Sequence, residues 1–316
     1  MNWSAVAERL NSTDAHSAKA AVRTNQGLIH VVAVLICAGL LPTVPAAAGQ
    51  AAGVSGLAET LRRVSSRVEH WYFRAQTVVS TETVTIQQLR ADMSPAEPPR
   101  RLAFELRVAW DPDGADRRGV PEAAVVREVL SVNGRPARQD ENAGCMDPKP
   151  VSPEPLAMLL PARLLESEFS LAGTGRLDGR RTLRLDFRGV AALPPDITWT
   201  GDCVTVSLPG RSRGRIWVDA ETYDVLRIDD RLVGTFRFDV PREHIRRGAA
   251  SSMTIERAES SIRYRRVEFQ EPQETLMLPA AIDTFTVMRG GAVRRVRITQ
   301  RFTDHRRYLT DGRLVD

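Results

Sequence analysis

The chain has 316 residues, a net charge of +5 at pH 7 and 42% hydrophobic residues, which is typical of a globular protein. Lys149 is the only lysine after position 48, so the basic side chains there are almost all arginines, spread among acidic residues. A nucleic-acid-binding surface needs a basic stripe, so nucleic acid is excluded as the expected partner. Short arginine doublets such as Arg265-Arg266 are interpreted as solvated strand faces, with an anion site as the alternative.

The N-terminal region has the pattern of a targeting segment. An apolar run of 15 residues, Gly27–Leu41, follows Arg9, Lys19 and Arg23 and precedes three alanines that end at Ala48. This order predicts a secretory signal peptide over residues 1–48 and a periplasmic or secreted protein. The alternative is an uncleaved N-terminal anchor, although 15 residues are short for a membrane span. No stable transmembrane span is expected after cleavage.

Two cysteines remain once the predicted signal, which contains Cys37, is removed. Cys145 and Cys203 lie 58 positions apart, each in a turn-rich segment. Exported proteins often pair such cysteines, so a Cys145–Cys203 disulfide is predicted. Two unpaired thiols are the alternative.

A helix is predicted at the start of the mature chain. Residues 49–56 are small and are expected to be flexible. From Leu57 to Phe73 the apolar residues recur at helical spacing, which predicts an amphipathic helix. No boundary is visible after residue 57, so residues 57–316 are expected to form a single domain.

Most of the remaining chain has strand-like patterns, either rich in β-branched residues or alternating between apolar and polar residues. The predicted strands are Val78–Leu89, Arg101–Trp110, Val125–Val132, Arg181–Arg188, Val204–Leu208, Arg215–Val218, Val225–Asp230, Leu232–Val240, Thr254–Phe269, Ala281–Arg289 and Ala292–Phe302. Strands at close spacing joined by turns predict a largely antiparallel sheet.

A central insert interrupts these strands. Residues 139–155 are predicted to be a loop, and Leu156–Phe169 is predicted to be a second helix that is broken at Pro161 or divided there into two short pieces. Gly173-Thr174-Gly175 is interpreted as a loop or turn.

One face of the predicted sheet is apolar and forms either a core or the lining of a ligand cavity. Its predicted members are Leu102, Phe104, Leu106, Val108, Trp110, Leu183, Leu185, Phe187, Trp217, Leu226 and Ile228.

No motif predicts catalysis, a cofactor or a metal. The sequence has no nucleophile elbow, metalloprotease motif, phosphate loop or dinucleotide fingerprint. His70, His244 and His305 each stand alone. Asp229 and Asp230 are adjacent in a strand and therefore point to opposite faces. We expect a protein that is not an enzyme.

The hairpin Gly214–Asp230 carries the most informative pattern. It resembles the strand–turn–strand element of the lipoprotein-carrier-like superfamily of exported proteins. The matching residues are Trp217, Val218, Asp219, Thr222, Val225, Leu226 and Arg227. The resemblance implies an α+β, mainly β fold: a strongly curved antiparallel sheet forming an unclosed barrel, with the N-terminal helix and the central helical insert covering its concave face. The hairpin itself is expected to be a structural corner, with Trp217 in the apolar interior.

That fold implies a cavity between sheet and helices for an apolar or lipid-like ligand, such as an acyl chain. The candidate partners are thus a lipid or acylated ligand, or a periplasmic or envelope protein. The alternative function is a periplasmic interaction or sensor module with a filled core that acts through protein–protein contacts.

Overall fold

The computed structural model describes residues 48–75, 78–115, 121–138, 145–148, 154–190, 193–201, 203–245, 250–270, 273–290 and 292–307. The predicted signal peptide lies outside these residues, apart from Ala48.

The described residues form two α-helices, short 3-10 helices and fourteen strands. The helices are α1 (Ala48–Arg74), α2 (Glu154–Ala157) and the 3-10 helices Pro161–Glu166 and Arg242–His244. The strands are β1 (Val78–Leu89), β2 (Arg100–Ala115), β3 (Pro121–Val132), β4 (Arg135–Pro136), β5 (Ser167–Leu177), β6 (Arg180–Gly189), β7 (Asp196–Thr200), β8 (Cys203–Ser207), β9 (Ser212–Asp219), β10 (Val225–Leu232), β11 (Phe236–Asp239), β12 (Ser252–Gln270), β13 (Gln273–Gly290) and β14 (Ala292–Arg307).

Twelve of these strands form one open antiparallel sheet. Its order is β4-β3-β2-β1-β14-β13-β12-β10-β9-β6-β5, with β11 pairing with β12, while β7 and β8 form a separate hairpin. Strands β4 and β5 do not pair with each other, so the sheet is not closed into a barrel. The predicted fold class is therefore confirmed.

The sheet curves around α1. This helix contacts both β2 and β5, which lie eight strand spacings apart in the sheet. A flat sheet would separate them by about 38 Å at ~4.8 Å per strand. The α1 side chains that pack in one core cluster with β2 and β5 lie between Leu57 and Tyr72, only about 23 Å of helix at ~1.5 Å per residue. We call the face that α1 covers the inner face and the opposite side the outer face.

A continuous row of cross-strand partners crosses the inner face. Each member pairs with the next, and all are at least nine-tenths buried. The row is Leu185, Ile216, Ile228, Ile262, Ile282, Gln300, Val84, Leu102 and Val132. Burial of the eight apolar members of this row stabilises the sheet.

Helix α1 has the predicted apolar stripe but begins earlier than predicted. Val64, Val68, Trp71 and Tyr72 are buried against the sheet. The helix begins at Ala48, so it includes residues 49–56, for which the sequence predicts a flexible segment. These residues include two alanines, which favour a helix, and three glycines, which disfavour it and led to the predicted flexibility.

The central insert forms two short helical pieces and ends earlier than the predicted helix. The predicted break at Pro161 is confirmed, since α2 ends at Ala157 and a 3-10 helix starts at Pro161. Strand β5 then begins at Ser167, so the end of the predicted helix is strand. Gly173–Gly175, interpreted from the sequence as a loop, lies within β5 at a register shift opposite β6. A β-bulge of this kind accommodates glycines inside a strand.

Two further boundaries differ from the predictions. The predicted strand Leu232–Val240 is divided into the end of β10 and β11, because Gly234 has a φ of +73° in the turn between them. Strand β7 was not predicted, since its alternation extends over only five residues.

Candidate functional site

A small cavity lies on the inner face beneath the C-terminal end of α1. Its volume is about 50 Å³, and its lining is mainly apolar. The lining residues are Trp71, Ala75, Val78, Ser80, Leu106, Val108, Leu278, Pro279, Phe302 and His305. Pockets for small molecules measure roughly 300–1,000 Å³. This α1 cavity is therefore much smaller than a ligand site while α1 stays in this position.

Few polar contacts hold α1 over the cavity. The Trp71 indole N–H donates to the Met277 carbonyl at 2.6 Å. The Arg74 guanidinium donates to the Glu274 carboxylate at 2.6 Å, and Arg307 pairs with the same carboxylate. The remaining described contacts between helix and sheet are largely apolar, and such contacts have no directional requirement.

On the N-terminal side of Trp71, two more polar contacts join α1 to the insert and to the β9–β10 hairpin. The Ser65 hydroxyl donates to the Leu159 carbonyl at 2.5 Å, and Arg67 pairs with Asp224 at 2.5 Å. Ser65 and Arg67 thus attach the helix to the insert and the β9–β10 hairpin, and the C-terminal end of α1 is held by β13 and β14.

Most of the residues predicted for the apolar face lie on the inner face. Leu106 and Val108 line the α1 cavity. Another group packs in the core beneath α1 and α2: Leu183, Leu185, Phe187, Leu226 and Ile228. Leu102 and Phe104 lie in a neighbouring cluster with Val84, Ile86 and Val132.

Trp217 does not lie in the apolar interior as predicted. Its neighbours Ile216 and Val218 are fully buried, so strand alternation places the half-buried Trp217 on the outer face. There the Arg227 guanidinium lies over its ring, 4.9 Å from the centroid. Trp110 lies in β2, but its side chain is outside the described residues.

A buried ion pair within the apolar face was not predicted. Arg127 donates two hydrogen bonds to Glu82, at 2.9 and 2.7 Å, and Gln300 donates a third to that carboxylate at 2.8 Å. The Arg127 guanidinium also lies over the Phe104 ring, 3.6 Å from its centroid. Burial lowers the pKa of Arg127, while the charge of Glu82 opposes this shift. Because every partner is on a distant strand, no local sequence pattern indicates this cluster.

The hairpin that carries the sequence resemblance is a structural corner. The backbone N–H groups of Glu221 and Thr222 donate to the Asp219 carboxylate, both at 2.9 Å. Burial would raise the pKa of Asp219, but these N–H groups and Arg180 outweigh it and lower that pKa. Asp219 therefore fixes the turn through its side chain and is not available as an acid or base.

The predicted disulfide is present. Cys145 and Cys203 are joined, with their Cα atoms 4.9 Å apart, which ties residues 145–148 to the β7–β8 hairpin. Next to the bridge, Asp147 pairs with Arg100 at 3.0 Å, and the Pro148 carbonyl accepts a hydrogen bond from Arg127.

Residues 145–148 border a second, more polar cleft of about 480 Å³. It is lined by Ile86, Gln88, Glu97, Pro98, Pro99, Arg100, Arg101, Asn133 and Met146.

Of His70, His244 and His305, only His305 lines the α1 cavity. Burial, together with the nearby positive charge of Arg265, lowers the pKa of His305 to about 4. The imidazole is therefore neutral at pH 7. The lining of the cavity that the structure describes thus carries no charged side chain at neutral pH.

The described residues contain no cluster of three or more His, Cys, Asp or Glu side chains that could hold a metal ion. Among their helices, none combines the length and the apolar character needed to cross a membrane.

No protein-family model matches the chain, and no curated protein matches it. Solved structures do match. A LolA superfamily protein from Nitrosomonas europaea is 10% identical, with a TM-score of 0.35, and the match covers 81% of this chain and 97% of that one. An outer membrane lipoprotein-sorting protein domain from Vibrio parahaemolyticus is 8% identical, with a TM-score of 0.37, covering 79% and 92%.

The Pseudomonas aeruginosa MucA/MucB complex also matches, at 11% identity and a TM-score of 0.22, covering 78% of this chain and 99% of that one.

Proposed function

We propose that this protein is an exported, non-catalytic binding protein that holds an apolar ligand of the acyl-chain class on its inner face. The observation that supports the proposal is the α1 cavity, an apolar space between the C-terminal end of a helix and the sheet. A periplasmic location follows from the predicted signal peptide and belongs to the same proposal.

The ligand enters by displacing the C-terminal end of α1. This helix is not part of the sheet's hydrogen-bond ladder, so its movement breaks no strand pairing. The movement exposes apolar surface of Trp71 and the strands below it, and an acyl chain replaces those contacts. The net cost includes the polar contacts of Trp71 and Arg74 with β13 and β14, at about 1 kcal/mol for a neutral hydrogen bond and more for a charged one.

The uncharged lining determines the class of ligand. Ser80 and the neutral His305 are its polar side chains, and the other members are apolar or Trp71, whose N–H is already bonded. An ionised group would lose its hydration in this space without gaining a partner. The ligand's hydrocarbon chain therefore fills the cavity while its polar end stays outside.

Binding of a fluorescent fatty acid to the full chain tests the proposal. Val108→Trp fills the cavity from β2 and is expected to weaken binding by at least about tenfold, since the lining tolerates no added volume. Val126→Trp is the matched control, because Val126 is 57% exposed on β3. Absence of saturable binding to the unmodified protein, at unchanged circular dichroism, would contradict the proposal.

The largely unpaired edge of β3 favours a second function, the recognition of a partner protein. Strand β4 covers only Ser131 and Val132 of β3, and Val126, Val129 and Leu130 are exposed nearby. Within the described part of the chain, β3 pairs otherwise only with β2. Such an edge can add an extended peptide as a further strand. Peptide binding that Val129→Pro abolishes, with no fatty-acid binding, would favour this function.

A further inference from the structure

Three arginines stand side by side on the outer face of the sheet. Arg188 on β6 pairs with Arg213 on β9, which pairs in turn with Arg231 on β10. All three side chains are exposed. Directly opposed residues on one face of an antiparallel pair have Cβ atoms about 4.5–5.5 Å apart. We call these three residues the arginine row.

Two carboxylates on the strands of the arginine row, each two residues from one of its members, are engaged by other arginines. Asp186 accepts two hydrogen bonds from Arg215, at 2.6 and 3.0 Å. Asp229 accepts from Arg227 at 2.7 Å.

A glutamate stands opposite each end of the row. Glu259 faces Arg231 from β12 but bonds Arg257 at 2.7 Å, and Glu168 faces Arg188 from β5. Within the described ranges, no ion pair joins Arg188, Arg213 or Arg231 to an acidic side chain.

Repulsion within the arginine row destabilises the folded protein when no anion is bound. Like charges placed directly opposite each other on a sheet are destabilising. Arg227 and Arg263 are also directly opposed on the outer face, but each has a carboxylate partner, at 2.7 and 3.1 Å, that offsets the repulsion. The arginine row is thus a local positive patch, and an anion placed over it would relieve the repulsion.

The chemistry of the guanidinium group identifies that anion. Each arginine presents a planar fork of donors that fits two oxygens of a phosphate or sulfate group. Three such forks held side by side by the sheet can bind one tetrahedral oxyanion or a small group of them. We propose that the arginine row is a binding site for a phosphate group. This site lies on the face opposite the α1 cavity and does not depend on the proposed function.

The test compares two triple variants of the full chain. Arg188→Gln/Arg213→Gln/Arg231→Gln removes the row. Arg257→Gln/Arg263→Gln/Arg301→Gln is the control, because these arginines lie on the same face and each already has a carboxylate partner. The two variants change the net charge by the same amount.

Two probes distinguish the sources of phosphate. Calorimetric titration with inorganic phosphate at low salt measures the free ion, and co-flotation with phosphatidylglycerol vesicles, against pure phosphatidylcholine vesicles, measures a lipid headgroup. Binding of either probe, weakened at least about tenfold in the row variant and less than about threefold in the control, supports the site. The proposal is overturned if neither probe binds. It is also overturned if both variants lose binding equally, which would indicate an effect of net charge alone.

Thermal unfolding tests the repulsion within the row independently. Without phosphate, the row variant should be at least as stable as the unmodified protein.

Discussion

Leu185 has no exposed surface and lies in the buried row that crosses the inner face. Leu185→Ala should lower the free energy of unfolding by about 2–5 kcal/mol, because the truncation leaves a cavity in a packed core. Leu165→Ala is the matched control: Leu165 is 92% exposed, so its truncation should cost under about 0.5 kcal/mol. Urea denaturation measures both values. Equal losses would show that the inner face is not the core.

The Glu82–Arg127 pair gives a second prediction at the scale of single residues. Arg127→Met leaves a fully buried carboxylate without its cation and should destabilise the protein by about 3–5 kcal/mol. The double variant Glu82→Leu/Arg127→Met removes both charges and should recover most of that loss. A double-mutant cycle from urea unfolding tests this. Additive losses in the double variant would contradict the assigned pairing.

His305 makes stability depend on pH in a defined window. Its pKa is lowered from 6.5 to about 4 in the folded protein, so the unfolded chain binds more protons between these values. The stabilising contribution is fully present above pH 6.5 and is lost as the pH falls toward 4. The size of the effect is on the order of 1–2 kcal/mol after allowance for partial exposure. His305→Gln should flatten this part of the pH–stability curve, and an unchanged slope would contradict the assignment.

At the scale of elements, the disulfide joins a segment beside the buried ion pair to the β7–β8 hairpin. Reduction should lower the free energy of unfolding by roughly 3–4 kcal/mol, because the closed loop spans 58 positions. Urea unfolding with and without reductant measures the difference. A Cys145→Ser/Cys203→Ser variant should show the reduced stability and no response to reductant. Equal stability of oxidised and reduced protein would contradict a stabilising role.

Elements with one clear pattern were predictable from the sequence. β2 was recognised because Leu102, Phe104 and Leu106 alternate with polar residues, and this fixes the inward face. In β9 three apolar residues are consecutive, so the sequence does not decide which face is buried. The buried partners Leu185 and Ile228 decide it, and Trp217 lies on the outside.

Elements whose pattern depends on distant partners were missed or shortened. The first half of β13 contains Pro279 and three consecutive apolar residues, Leu276–Leu278, so it lacks alternation. It is a strand because β12 pairs with it, apart from a register shift next to Tyr264. For the candidate site, Leu106 and Val108 were among the predicted residues. The contributions of Trp71, Phe302 and His305 depend on how α1 and β14 meet, which the sequence does not specify locally.

At the scale of the whole molecule, the open sheet has two differently specialised faces. The inner face buries the apolar row under α1 and the insert, and its small cavity lies where the helix ends. The outer face is rich in arginines, several of which pair with carboxylates, while those of the arginine row have no ion pair among the described residues. An apolar ligand on one face and a phosphate group on the other would let one molecule bind both parts of an amphipathic surface.

The most direct test of the apolar-ligand proposal is native mass spectrometry of the full chain, expressed in a bacterium and purified without detergent. We expect a mass above that of the polypeptide. The additional mass is either a ligand that co-purifies and is extracted into organic solvent, or a long-chain fatty acid that binds on incubation. Val108→Trp should abolish the added mass, and Val126→Trp should retain it. A bare polypeptide mass under both conditions would contradict ligand binding on the inner face.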